Sequence, residues 1–195
     1  MGNVLLDFDF KPALLKLSRH SGVPVQTIAD YYNQSGLEVL FDGGKITNRQ
    51  FYSQARRALN LSLSYEQFAA IWNGIFKPDQ KIGRLVQKLS RTHRLVLLSN
   101  TNSMHARYIE KRYPGLMGLF DKRLYSFREK RRKPDAGLYR TALRACKAPA
   151  NQVFYIDDRA DFTGAAEELG IHTFTYRKNF SELVGKIQQL GALSS

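Results

Sequence analysis

The stretch "VFYIDDRAD" ends an apolar and aromatic run in two adjacent carboxylates, Asp157 and Asp158, with Asp161 one helical turn later. Neighbouring like charges repel, and burying them is costly unless a cation compensates. Hard oxygen donors at a strand tip suit Mg²⁺, which takes one or two carboxylates, some waters and a substrate phosphate. A second apolar run, "RLVLLSNTN", delivers Ser99 and Asn100, where a hydroxyl and backbone amides can hold a phosphate oxygen. Between the two lies "RRKPDAGLY", with Lys133 just before Pro134 at a helix start, placed to neutralise a phosphate or a reacting carboxylate. A further pair of acids, Asp7 and Asp9, follows a short apolar run in the opening "MGNVLLDFDF".

The elements that must position these groups fall into two regions. From Pro12 to about Phe76 the pattern is helical throughout. Pro12 suits a first helical turn, and "SGVP" breaks the helix it begins. Thr47 with Gln50 and Ser64 with Gln67 form capping boxes ahead of "FYSQARRALN" and "FAAIWNGIF". From about Lys77, strands alternate with helices. "RLVLLS" leads to a helix over Ser103 to Arg112, "RLYSF" to a helix from Asp135 to Cys146, and "VFYID" to "FTGAAEELG", before the run "HTFTY" and a last helix. Such alternation predicts a parallel, doubly wound sheet with helices on both faces, which binds ligands at the carboxyl ends of its strands. The expected architecture is an α/β fold: a Rossmann-like three-layer core over 1–11 and 77–195, with an inserted all-helical cap over 12–76.

Composition narrows the partners. Lys and Arg outnumber Asp and Glu by 30 to 17, a net charge of +13, and such a field attracts polyanions. A small phosphorylated substrate is the favoured partner. Nucleic acid is the less favoured one, because no basic stripe interleaved with aromatics appears. The densest basic cluster, Arg128 to Lys133, reads by itself as a solvated loop. No apolar run approaches the roughly 18 residues of a membrane span, and no secretory signal opens the chain, so the expected location is cytoplasmic. The one cysteine, Cys146, excludes an internal disulfide and reads as a buried helix residue.

Taken together, "LVLLSN", "RKPDAGLY" and "VFYIDDRAD" resemble the later motifs of the haloacid dehalogenase superfamily of phosphohydrolases. More narrowly, the chain is similar to the branch that includes bacterial alpha-D-glucose 1-phosphate phosphatase, a likeness that extends to "GNVLLDFDF" and "LSYEQF". The resemblance implies phosphoester hydrolysis through an aspartyl-phosphate, with Mg²⁺ as cofactor. Carried over, Ser99 and Asn100 would bind the phosphoryl group and Lys133 would hold nucleophile and phosphate. Asp157 and Asp158 would hold Mg²⁺ directly or through water, with Asp161 behind them. Tyr31, Tyr32, Phe41 and Lys45 would be specificity residues of the cap. The chain departs from the branch at Lys130, where glycine is common.

The resemblance also implies a nucleophilic Asp at the tip of a central strand. Placing it at Asp7 leaves only Val4 to Leu6 for a strand buried on both faces, short of the usual five or six or so residues, and leaves no room for a flap before Pro12. In the other register Gly2 stands two positions after the nucleophile, "NVLLDFDF" is the flap, and the nucleophile falls one residue before Met1. That register is the expectation, with Asp7 as the fallback nucleophile. The expected function is a Mg²⁺-dependent phosphatase of a small phosphorylated metabolite such as a sugar phosphate. The alternative is a non-catalytic protein of the same fold that binds a phosphorylated ligand or nucleic acid.

Overall fold

The computed structural model describes residues 1–193. Strand β1 (Leu6–Phe8) pairs antiparallel with β2 (Phe76–Pro78), Asp7 lying opposite Lys77. Between these two strands run five helices: α1 (Lys11–Ser21), α2 (Val25–Gln34), α3 (Leu37–Asp42), α4 (Asn48–Ala58) and α5 (Tyr65–Asn73). The local signals act as their chemistry requires. Pro12 sits in the first turn of α1, whose helical path ends at Gly22 in the left-handed region at φ 71°. Thr47 and Ser64 both close reciprocal capping boxes, with Gln50 and Gln67. The helices share an aromatic core in which Phe41 stacks on Phe51 with ring centroids 4.3 Å apart and Phe68 stacks on Trp72 at 5.8 Å. This cluster runs from Leu17 to Trp72 and takes in Met104 from outside the helical region.

The remainder alternates helices and strands: α6 (Gln80–Leu89), β3 (Val96–Ser99), α7 (Ser103–Arg112), α8 (Pro114–Met117), β4 (Lys122–Tyr125), α9 (Ser126–Glu129), α10 (Ala136–Cys146), β5 (Phe154–Asp157), α11 (Ala160–Glu167), β6 (His172–Thr175) and α12 (Phe180–Gln189). β3 pairs parallel with β4, and β5 parallel with β6. Alternating side chains of β3 enter opposite clusters. Leu97 packs with Ile109, Tyr125 and Leu183, and Leu98 with Leu124, Leu138 and Tyr139, so both faces are covered by helices in a three-layer core.

The sheet differs from a single expected ladder. Among the described residues its strands form three pairs, and none joins β3 to β5. Residues of both strands instead line one largely apolar cleft of about 690 Å³, which Met1, Leu5, Ile82 and Leu183 also border. The expected strand "RLYSF" stops at Tyr125, because Ser126 turns into the short helix α9.

Candidate active site

Lys133 stands where its main chain and its side chain are both fixed. The carboxamide of Asn100, just past β3, accepts from the Lys133 backbone N–H at 2.8 Å and donates to the Lys133 carbonyl at 3.0 Å. The two loops at the strand ends are thereby locked to one another. The Lys133 side chain, only 4% exposed, reaches Asp157 at the tip of β5, with Nζ to Oδ2 at 2.5 Å. The Tyr155 hydroxyl donates to the same oxygen at 2.5 Å, and the Arg159 backbone N–H donates to Oδ1 at 3.2 Å. The ammonium also lies 4.8 Å from the centroid of Phe162.

Burial alone would push the Asp157 carboxyl up, but the Lys133 ammonium, the Met1 amine and the hydrogen bonds outweigh it and hold it below its ordinary range. Burial lowers the Lys133 ammonium, against the pull of Asp157. The Met1 amine is itself desolvated to about 5, and Lys133, Asp157 and Asp158 all lie close enough to act on it. Asp158 accepts from Asn3 Nδ2 at 3.0 Å, an arrangement helped by the left-handed backbone of Asn3 at φ 56°.

The structure therefore brings together Lys133, Asp157, Asp158 and Asn100, with Ser99 buried at the end of β3. Asn100 spends its side chain on Lys133, and the Ser99 hydroxyl donates to the Asn100 carbonyl at 3.2 Å. Asp161 is turned away into a surface ion pair with Arg159. Asp7 stands on antiparallel β1, half-exposed and ion-paired with Lys178. Cys146 is half-buried near Arg94 rather than enclosed.

Two carboxylates side by side at a strand tip match the sparse protein donor set of a Mg²⁺ site that water and phosphate complete. Among the described residues no group of three His, Cys, Asp or Glu offers a fuller cage. The arrangement suits an oxyanion-binding centre in which a fixed cation faces charge that develops on phosphorus.

Sequence reasoning missed the residues that fasten the helical region over this centre. Asp42, at the end of α3, accepts from Asn102 Nδ2 at 3.0 Å, and its carbonyl accepts from Ser126 Oγ at 2.6 Å. Ser126 Oγ in turn accepts from the Thr101 N–H at 2.9 Å. Ser103 Oγ donates to Asn48 Oδ1 at 2.5 Å. The residues "NTNS" after the strand carried the only available signal, polar groups in excess of what a turn needs. Lys130 adopts the left-handed backbone, φ 56°, that glycine takes without strain. Its Nζ donates to the Gly44 carbonyl at 2.7 Å, so a lysine here adds a tie to the helical region. Of the four expected cap residues, Phe41 is core, Lys45 is exposed and Tyr31 only edges the cap core. Tyr32 packs on Phe10 and Trp72, and Glu38, Asp42 and Arg132 lie near enough to influence its hydroxyl.

The chain is 23% identical over 180 residues to the D-ribitol-5-phosphate phosphatase of Bacteroides thetaiotaomicron, covering 89% of this chain and 87% of that one. A haloacid dehalogenase family enzyme of the same organism, crystallised with magnesium and inorganic phosphate, superposes with a TM-score of 0.84 at 25% identity, over 94% of this chain and 95% of that one. A haloacid dehalogenase-like hydrolase of Porphyromonas gingivalis matches with a TM-score of 0.77 at 20% identity, over 95% and 93% of the two chains. The family model of haloacid dehalogenase-like hydrolases matches residues 47–170, which run from the first capping box to just past the helix after the Asp157–Asp158 pair. The chain belongs to the haloacid dehalogenase-like hydrolase family.

Proposed function

We propose that the protein is a Mg²⁺-dependent phosphatase of a small phosphorylated metabolite, a sugar or polyol phosphate, working through an aspartyl-phosphate. The observation that carries this reading is the buried Lys133 ammonium, paired with Asp157, on a backbone that the Asn100 carboxamide holds at the strand ends. The named activity of the Bacteroides relative and the magnesium and phosphate of the similar structure support it.

In this reaction a carboxylate oxygen attacks phosphorus, the bond to the leaving oxygen breaks and the departing alcohol takes up a proton. Water then cleaves the acyl phosphate, releasing inorganic phosphate and restoring the carboxylate. Lys133 neutralises the phosphoryl oxygens as charge shifts among them. The Ser99 hydroxyl would exchange its bond to the Asn100 carbonyl for one to those oxygens, and Asn100 keeps Lys133 in register. Asp157 and Asp158 would hold Mg²⁺, which supplies further charge neutralisation at the phosphoryl group. A carboxylate one residue before Met1 would enter beside Lys133, Asp157 and Asp158, the groups that act on the Met1 amine. Asp7 is the second choice, since its carboxylate is taken up by Lys178.

Hydrolysis of p-nitrophenyl phosphate tests the reading, on the chain beginning at Met1 and on a form extended by an apolar strand ending in Asp directly before Met1. Activity is expected to require Mg²⁺ and to be lost in Asp158→Asn. Turnover that survives both this substitution and a chelator overturns the metal assignment. Activity confined to the extended form assigns the nucleophile there, whereas activity of the shorter form that Asp7→Asn abolishes assigns it to Asp7.

A further inference from the structure

Tyr155 and Asp157 stand two residues apart on β5, so their side chains leave the same face of the strand and the longer one reaches forward to the shorter. The Tyr155 ring packs edge-on against Tyr139 with centroids 5.7 Å apart, and the Tyr139 hydroxyl is tied to α11 by a bond to the Phe162 carbonyl at 2.8 Å. Packing thus fixes where the Tyr155 hydroxyl lies. The two oxygens of Asp157 are unequally committed. Oδ2 accepts from both the Lys133 ammonium and the Tyr155 hydroxyl, each at 2.5 Å, whereas Oδ1 accepts only from the Arg159 backbone N–H at 3.2 Å. Oδ1 is therefore the oxygen left to meet a cation.

We propose that Tyr155 is a positioning residue for Asp157: its hydroxyl keeps hold of Oδ2 when Lys133 turns to the phosphate, so that Oδ1 stays available to Mg²⁺ while both ligands are bound. The proposal rests on the phosphatase reading above for the tasks of Lys133 and Asp157. Two demands fall on the Lys133 ammonium. Among the described residues Asp157 is its one hydrogen-bond partner, and in that reading it must also meet the phosphoryl oxygens. A lysine that turned to phosphate would leave Oδ2 buried without a partner, a costly state for a carboxylate, unless a second donor stayed behind. The Tyr155 phenol is the only other donor to Oδ2 among the described residues, and its packing against Tyr139 keeps it from following the lysine. Metal affinity should then depend on the hydroxyl only when phosphate is present, because without phosphate Lys133 holds Oδ2 by itself. A purely structural role would make no such distinction.

The test is calorimetric titration of Mg²⁺ into the unaltered chain, Tyr155→Phe and Tyr139→Phe, each without and with saturating inorganic phosphate. Without phosphate, Tyr155→Phe should bind Mg²⁺ within about twofold of the unaltered chain, and with phosphate it should bind roughly tenfold more weakly, the worth of one hydrogen bond to a buried carboxylate. Tyr139→Phe loses a hydroxyl from the same aromatic packing but none from Asp157, and should stay within about twofold under both conditions.

Equal weakening of Tyr155→Phe with and without phosphate means that the hydroxyl serves the fold or holds the carboxylate at all times, and overturns the proposal. Unchanged affinity under both conditions overturns it as well, and so does the same phosphate-dependent loss in Tyr139→Phe. Failure of the phosphatase reading shows separately, as an unaltered chain that binds no Mg²⁺, or no phosphate once Mg²⁺ is present, and the proposal falls with it.

Discussion

At the Lys133–Asp157 pair, two opposite charges lie almost wholly out of water, 4% exposed each. Removing a charge from water costs several kcal/mol, so such a pair persists only where attraction and supporting hydrogen bonds compensate. The Tyr155 hydroxyl and the Arg159 N–H provide that support here. Lys133→Met leaves a buried carboxylate with weaker compensation. It is expected to lower the unfolding free energy by about 3–5 kcal/mol in urea denaturation, while Lys133→Met combined with Asp157→Asn recovers a large part of it. Equal losses in the single and double variants would show that the pair is not coupled. The types of these two residues, and their place at a helix start and a strand tip, were readable from "RRKPDAGLY" and "VFYIDDRAD". Their pairing across 24 positions was not, because it depends on how the loops fold onto one another.

Among the elements, α3 and the loops after β3 and β4 behave as a latch. Gly44 sits at φ 64° with so little room that a Cβ there would come within 2.3 Å of the Phe127 carbonyl oxygen, so the approach of the two segments depends on glycine. Asp42 gives this contact a pH dependence. Burial raises its carboxyl to about 7, beyond what the Asn102 hydrogen bond pulls back, whereas the unfolded chain titrates it near about 4. Between those values the folded state binds more protons, so stability falls as pH rises from about 4 to about 7 and stays lower above. Asp42→Asn keeps an oxygen for Asn102 and removes the charge. Its urea midpoint should match the parent near pH 4 and exceed it at pH 8, with a gain on the order of 2 kcal/mol. An equal midpoint at pH 8 would show that the Asp42 carboxylate is solvated there. Capping boxes, Pro12 and the hydrophobic periods announced the helices correctly because those signals are local. The latch was invisible because Asp42, Asn102 and Ser126 are ordinary turn residues until tertiary contact gives them partners.

At the scale of the whole molecule, residues of β3 and β5 line an apolar cleft of about 690 Å³. Apolar walls without a facing layer lose dispersion contacts and keep hydrophobic surface near water. Adding volume there should stabilise: Ala142→Leu, on the cleft wall, is expected to raise Tm by a few degrees, the worth of about 1 kcal/mol in a chain of this size. A fall in Tm would show that the walls already meet. The same region separates what was legible from what was not. The strand and helix alternation from Lys77 onward, both capping boxes, the two polar strand ends and the excess of positive charge all follow from local pattern and composition, which fix hydrogen-bonding partners within a few residues. Which strands pair, that β1 runs antiparallel to β2, that Asn100 serves Lys133, and that Arg132 faces Glu38 were decided only by the tertiary structure. Each depends on residues brought together from distant parts of the chain, and their contact energies exist only once the core has closed.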